Sequence, residues 1–282
     1  MKNQAEMPRG LGIIAGGGDL PGKVAAAARA AGRSVFILGL EGFAEPVVLA
    51  PWPHEFQRIG RAGRILAALR EHGCQDVVMI GPVRRPSLLD LRPDADGTRI
   101  LARVGRAIFA GDDGLLAAVI KVFAEEGFTV IGAHEVMGEV LAPGGVLTRA
   151  TPDAQAMADI RRGVEVARVL GAADVGQGCV VQQGLVLAVE AIEGTDSMLA
   201  RAASLRRDGF GGVLVKLMKP GQDRRADMPT IGPETVRNAA AAGLRGLAFE
   251  ARATILADRE ACLAAADAAG LFLVGLDPAD LS

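Results

Sequence analysis

Tyrosine is absent from the 282-residue chain, tryptophan occurs once and phenylalanine nine times. Single-stranded nucleic acid is usually held on aromatic stacking platforms, and there is little here to build one. Neither sign of charge dominates: 31 Lys and Arg against 33 Asp and Glu leave a formal net charge of −2. That removes both the basic footprint of a polyanion binder and the one-sided charge of a disordered tail, so nucleic acid is excluded as a partner. The three cysteines, Cys74, Cys179 and Cys262, are few, far apart and set in apolar surroundings. Neither a disulfide framework nor a zinc ribbon fits them, and they read as small buried hydrophobes. The three histidines, His54, His72 and His134, form no HExxH cluster, and no serine sits in a GxSxG elbow. Zinc hydrolase and triad hydrolase chemistry lose their signatures together. The opening MKNQAEMPRG lacks the apolar stretch of a signal peptide. No later segment supplies the roughly 20 uninterrupted apolar residues that cross a bilayer, so a cytoplasmic location is expected.

Half of the chain is hydrophobic and 23% charged, the balance of a globular protein with a sizeable core. At roughly 150 residues per domain, its length implies about two domains. The opening LGIIAGGGDLPGKVAAAARAAGRSVFILGL reads as a strand at 11–15, a glycine turn, a helix at 22–31 and a strand at 34–40, a βαβ unit. A helix at 61–73 leads into the apolar run DVVMIG at 76–81. Helices at 98–109 and 114–126 and a strand at 128–132 complete an α/β first half. Residues 136–151 collect Gly, Pro and Thr, with Thr151 as N-cap and Pro152 opening a helix to Leu170, so a boundary is placed near 150. The second half alternates again: strand 179–192, helix 196–208 closed by Gly209, strand 212–218, helix 233–242, strand 245–250, helix 258–269 capped by Asp258, strand 271–276. The expectation is a two-domain α/β protein, 1–150 Rossmann-like and 151–282 carrying the acidic segments. Each domain would have a mostly parallel sheet flanked by helices, with a substrate crevice between them.

Three constellations carry chemistry. Gly16-Gly17-Gly18-Asp19-Leu20-Pro21-Gly22 sits where the first strand feeds a helix. Backbone N–H groups and the helix dipole can receive a phosphate at such a place. Against the dinucleotide fingerprint GxGxxG it has Pro21 where the third glycine belongs, which weakens a nicotinamide reading. The plain alternative is a tight turn that needs glycine for its backbone. The second is VLAVEAIEGTD at 186–196, an apolar strand breaking into Glu190, Glu193, Thr195 and Asp196 before a helix. Period 2 puts Glu190 and Glu193 on opposite faces, so they share a site only if the chain turns near 191–194. The alternative is that Thr195 or Asp196 caps the helix. The third is the polar loop from Lys216 to Thr230. If its middle is extended, as Pro220 and Pro229 encourage, Asp223, Arg225 and Asp227 project to one side at intervals of about 6.6 to 6.8 Å. Two carboxylates with a guanidinium between them can hold a divalent cation while the fork grips a phosphate. Both acidic segments follow strand ends and are expected to face one crevice. GPVRRP from Gly81, with Arg84 and Arg85, and GDDGLL from Gly111, with Asp112, are weaker additions.

Taken in order, IIAGGGDLP at 13–21, IGPVRRPS at 80–87, GDDGLL at 111–116, LTRATPD at 147–153, AVEAIEGTD at 188–196 and KPGQDRRADMPTIG at 219–232 span nearly the whole chain. Together they resemble the LpxI family of UDP-2,3-diacylglucosamine pyrophosphatases. The resemblance implies a magnesium-dependent hydrolysis of UDP-2,3-diacylglucosamine to UMP and 2,3-diacylglucosamine 1-phosphate, a step of lipid A biosynthesis. It also implies water attack on the phosphorus nearer the sugar, a lipid-linked sugar-nucleotide substrate and peripheral contact with the inner membrane. The family's QDxRxDxP segment falls on Gln222, Asp223, Arg225, Asp227 and Pro229, and its EGTD segment on Glu193 to Asp196. Asp223, Asp227 and Arg225 are the catalytic candidates, and Asp223, Asp227, Glu193 and Asp196 the magnesium candidates. Gly16, Gly17, Gly18, Leu20, Gly81, Arg84, Asp112, Thr148, Gln183, Glu190, Thr195, Lys216 and Gln222 are the substrate-binding candidates. The acyl chains would lie between the halves, along the Leu- and Ala-rich helices at 114–126 and 153–170. A homodimer is consistent with the apolar share of the chain. The rival readings are an NAD(P)-dependent oxidoreductase built on the first βαβ unit and a non-catalytic sugar-nucleotide-binding protein.

Overall fold

The computed structural model describes residues 8–84, 93–105 and 112–281. The chain divides into two compact units, one of residues 1–138 with 223–227 and the other of 139–222 with 228–282. The division falls between Gly138 and Glu139. Residues 145–146, expected in the first half, instead pair into the second unit's sheet.

In the N-terminal unit five strands form one sheet: β1 (Gly10–Ala15), β2 (Val35–Leu40), β3 (His54–Gln57), β4 (Cys74–Ile80) and β5 (Thr129–Val130). Their order is β3-β2-β1-β4-β5 and every pairing is parallel. Every residue of the central strand β1 is buried, which is why GLGIIA reads as a continuous apolar run and not as an alternating one. The chain moves outward from β1 to β3 and then returns to β4 on the other side of β1. The gap beyond the carboxyl ends of β1 and β4 is therefore the switch point at which open α/β sheets bind ligands. Helices α1 (Leu20–Ala30), α2 (Pro46–Leu49), α3 (Ala62–Glu71), α4 (Ala95–Val104), α5 (Asp112–Glu125) and α6 (Ala133–Met137) lie among these strands in sequence. On one face Phe36, Leu38, Leu66, Leu69, Phe123 and Phe128 pack into a single apolar cluster.

The C-terminal unit holds a six-stranded sheet in the order β6-β13-β11-β9-β7-β8, from β6 (Gly145–Val146), β7 (Gly178–Gln182), β8 (Leu185–Val189), β9 (Val213–Lys216), β11 (Gly246–Glu250) and β13 (Phe272–Leu276). Strands β9, β11 and β13 are parallel and form its centre, β6 on one side and β7 on the other run antiparallel to them, and β8 pairs antiparallel with β7 and so runs in the direction of β9. A small parallel pair joins β10 (Thr230–Ile231) to β12 (Ile255–Leu256). Helices α7 (Ala154–Ala172), α8 (Gly194–Ala203), α9 (Pro233–Ala241) and α10 (Arg259–Ala269) belong to this unit.

Three local expectations are revised. The single strand at 179–192 is a hairpin, because Gln183 and Gly184 both take left-handed backbone (φ 55° and 76°) in a two-residue turn. The Asp159 carboxylate on α7 holds that turn by accepting from the Gln183 and Gly184 amides at 3.1 and 2.7 Å. Helix α7 is capped by Asp153, which accepts from the Ala156 amide at 2.8 Å, and not by Thr151. Helix α8 stops at Ala203 because the following chain is held elsewhere: Gln182 binds the Arg207 N–H and the Arg207 and Phe210 carbonyls, and Gln183 binds the Asp208 carbonyl. Asp258 caps α10 as expected, accepting from the Ala261 amide.

Candidate active site

At the switch point of the N-terminal sheet the two glycine segments touch. The Gly16 amide donates to the Ile80 carbonyl at 2.8 Å and the Gly17 amide to the Pro82 carbonyl at 3.0 Å. A Cβ on Gly16 would collide with the Gly81 carbonyl, so glycine is needed here for close backbone approach. These bonds commit the Gly16 and Gly17 amides to β4 and the segment that follows it. What remains of the expected phosphate cradle is Gly18, in left-handed backbone (φ 75°) with open space around it, and the start of α1 at Leu20. Arg84 is exposed on the segment beyond Gly81. Arg85, Gly111 and the side chain of Asp112 lie outside the described residues.

The acidic segment 223–227 is remote in sequence yet packs in this same unit. Ala226 joins the apolar cluster with Ile14, Val77 and Val130. A Cβ on Gly132, just beyond β5, would sit 3.2 Å from the Arg224 carbonyl. The segment is not extended. The Ala226 and Asp227 amides both donate to the Asp223 carbonyl, at 3.1 and 3.0 Å, which winds 223–227 into one helical turn. Asp223 drives the winding, because its Oδ1 accepts from the Arg225 amide at 3.0 Å, a local bond that competes with extended backbone. In such a turn positions i and i+4 share a face, so Asp223 and Asp227 are still neighbours, though by helical and not by strand geometry. Arg225 reaches back to Asp223 through Nε at 2.9 Å and Nη2 at 2.6 Å. That fork holds the Asp223 carboxyl below the usual carboxylate range and raises Arg225 in return. The acidic turn and the glycine turn thus both lie at the carboxyl edge of one sheet. Strands β1 and β5 flank β4 there and are roughly 10 Å apart at the usual strand spacing.

The C-terminal unit carries a buried polar cluster at the carboxyl ends of β8 and β9. Glu190 and Lys216 are each only 6% exposed. The Thr195 hydroxyl, in the first turn of α8, donates to Glu190 Oε1 at 2.6 Å and accepts from Lys216 Nζ at 2.6 Å. The chain does turn after Glu190, with the Gly194 amide bonded to the Ala191 carbonyl. The two glutamates nonetheless part company: Glu193 pairs with Arg201 at 2.6 Å, and its own backbone N–H and then that guanidinium hold it below the usual range. Asp196 accepts from Asn238 at 3.0 Å.

Other candidates are placed apart from this cluster. Gln183 is in the β7–β8 turn, at the opposite end of the hairpin from Glu190. Thr148 is bonded to Leu273 and Ala150, near the start of β13 and not its carboxyl end. Gln222 is buried and accepts from the Lys219 amide, shaping the turn that precedes the acidic segment. Among the described residues no three His, Cys, Asp or Glu side chains converge as a metal-ligand cluster. Sequence reasoning missed His134, in α6 beside Gly132, whose Nδ1 is buried without a hydrogen-bond partner. A lone histidine without a ligand motif gave no signal in the sequence.

Two family models meet close to the boundary between the units, with 223–227 falling inside the C-terminal one. The LpxI N-terminal domain model matches residues 10–140 and the LpxI C-terminal domain model residues 143–274. The chain is 48% identical over 276 residues to the UDP-2,3-diacylglucosamine pyrophosphatase LpxI of Caulobacter vibrioides, covering 96% of this chain and 98% of that protein. Among solved structures, a CobK precorrin-6A reductase aligns over 96% of this chain and 88% of its own at 11% identity and a TM-score of 0.35. A UDP-glucose 4-epimerase of Thermus thermophilus aligns over 96% of this chain and 91% of its own at 13% identity and a TM-score of 0.32. Likeness that slight carries no argument about fold or chemistry. The two domain matches and the full-length relative show that the chain belongs to the LpxI family.

Proposed function

We propose that this protein hydrolyses the pyrophosphate bond of UDP-2,3-diacylglucosamine, releasing UMP and 2,3-diacylglucosamine 1-phosphate. The observation that carries the reading is the 48% identity to a curated enzyme of that activity over nearly the full length of both chains. The chemistry of the acidic turn supports it. A deprotonated Asp223, an Asp227 on the same turn and an arginine between them suit a diphosphate that must shed charge as its anhydride opens.

We propose magnesium as the cofactor. Magnesium commonly takes one or two protein carboxylates and fills its octahedron with waters and phosphate oxygens. Asp223 and Asp227 fit that pattern, and no three-ligand cage is required. Glu193 and Asp196 belong to the C-terminal unit, where Arg201 and Asn238 hold them. When bound, the cation would neutralise nonbridging phosphate oxygens and lower the pKa of a coordinated water. The chain's own part is to orient. Arg225 commits Nε and Nη2 to Asp223 and turns Nη1 to a phosphate oxygen. Gly18 and the start of α1 lie open at the same sheet edge to a second phosphate. In the reaction a water oxygen bonds to phosphorus, the bond from that phosphorus to the bridging oxygen breaks, and the bridging oxygen leaves on the other phosphate.

No helix among the described residues is long and apolar enough to cross a membrane. We place the protein peripherally at the cytoplasmic face of the inner membrane, since its substrate is lipid-linked. A homodimer is a separate proposal, for sedimentation velocity. The functional test is direct: purified protein with magnesium releases UMP from the lipid nucleotide, and EDTA stops it. No UMP with magnesium, or undiminished release in EDTA, would overturn the activity or the cofactor respectively.

A further inference from the structure

A lysine and a glutamate buried together in a medium of low dielectric gain most by direct contact, because their attraction grows as the distance falls. Lys216 and Glu190 do not take that contact: Nζ and Oε1 stay 3.9 Å apart although both side chains are more than nine-tenths buried. The Thr195 hydroxyl sits between them with a bond of 2.6 Å to each. The ammonium has three donors, and Thr195 takes one at ordinary length. The Thr230 carbonyl lies at the 3.5 Å limit. Glu190 Oε2 is buried with no hydrogen-bond donor at all, an unusual condition for a buried carboxylate oxygen. It faces Gly178, where a Cβ would come within 2.8 Å of it. A pair serving stability alone would close the gap and satisfy both oxygens. This one is held open, with donor capacity left on the cation and acceptor capacity on the anion, at the strand ends where α/β sheets receive ligands.

We propose that Lys216 is the anion-binding group of the C-terminal unit, that its ligand is a phosphate-bearing molecule with a hydroxyl or N–H to offer Glu190, and that Thr195 is the positioning residue that keeps the ammonium from collapsing onto the carboxylate. The proposal rests on the sugar-nucleotide reading above for the choice of phosphate over other anions. It gives Thr195 a role distinct from substrate contact. Its hydroxyl is polarised by Glu190 and so becomes a stronger acceptor for Lys216, as bonds in a chain reinforce one another.

Thr195→Val is the informative substitution, because it removes the bridge, keeps the shape and lets Lys216 and Glu190 close into a direct pair. Thr195→Ser keeps the bridge. Full-length protein is titrated with inorganic pyrophosphate in EDTA, following the backbone amide signals of 194–197 and 216–218 by NMR, and KM and kcat are measured with the lipid nucleotide. The expected result is saturable pyrophosphate shifts at these amides in the wild type and in Thr195→Ser. In Thr195→Val the affinity should fall about tenfold and KM rise by a similar factor, with the thermal midpoint unchanged. Wild-type-like titration and kinetics in a folded Thr195→Val, or no pyrophosphate shift at these amides in the wild type, would overturn the proposal. Should Thr195→Val fail to fold, Thr195→Ala, which also removes the bridge, decides: weakened pyrophosphate binding in Thr195→Ala with retention in Thr195→Ser supports the proposal, and wild-type affinity in both overturns it. A wild type that binds pyrophosphate here yet releases no UMP from the lipid nucleotide would defeat the proposed function while leaving this anion site standing.

Discussion

The two units treat charge in opposite ways. In the N-terminal unit Arg225 and Asp223 meet on a partly exposed turn, with side chains 48% and 26% exposed, where an ion pair contributes little to stability but leaves both groups within reach of a ligand. In the C-terminal unit Glu190 and Lys216 are buried, and the Thr195 hydroxyl between them is part of the packing. The difference lies in what removal costs: loss of the exposed ion pair is cheap, while neither charge of the buried pair can be removed alone.

That contrast can be broken by substitution, beginning with the largest effect. Asp223→Ala and Asp227→Ala should each lower kcat for UMP release by two or more orders of magnitude, as read from initial rates, with an unchanged circular dichroism spectrum. If both variants keep full turnover, the acidic turn is not the reaction centre. Lys216→Met should destabilise the protein by about 3–5 kcal/mol in urea unfolding, because it strands the Glu190 carboxylate in the interior. Arg225→Ala should stay within about 1 kcal/mol in the same assay. Equal losses in the two variants would erase the distinction between the units. Gly16→Ala should cost about 1–3 kcal/mol, since the new methyl meets the Gly81 carbonyl.

Smaller effects sharpen the comparison. The Asp223 carboxyl is depressed by Arg225, so its stabilising contribution is present above the ordinary aspartate pKa and is lost only as pH falls through the lower folded value. A carbon-detected NMR titration should find its midpoint below that of a free aspartate, and Arg225→Ala should return it upward. The thiols give the least signal. Burial pushes Cys179 up to about 12 and Cys74 to about 11, so neither should react with a thiol reagent near neutral pH in the native protein.

How far the sequence reached differs between the units for physical reasons. Segments such as GLGIIA and VFILGL announce buried parallel strands because both faces are apolar, and Asp258 and Pro233 mark helix starts by local chemistry that the fold keeps. The hairpin at Gln183–Gly184 was not legible, because its left-handed backbone is supported by Asp159 from a helix distant in sequence. The expected strand wall at Asp223, Arg225 and Asp227 is a helical turn instead. Flanking prolines favour extension, but the Asp223 side chain binds the Arg225 amide and winds the turn. Nor could spacing show that this turn, lying between Gln222 and Met228 of the C-terminal unit, packs with the N-terminal one. That fact depends on Ala226 finding an apolar cluster made by residues remote in the chain. Glu190 and Lys216 were legible as polar residues at strand ends, whereas the bonds of Gln183 and Thr148 to backbone remote in the chain were not.

The most direct measurement of where the cation and phosphate act is paramagnetic NMR of the full-length protein with manganese in place of magnesium, in the presence of UMP. The account predicts selective broadening of the amides of 223–227 and of Gly18. Broadening confined to 193–196, or spread without preference over the surface, would contradict it.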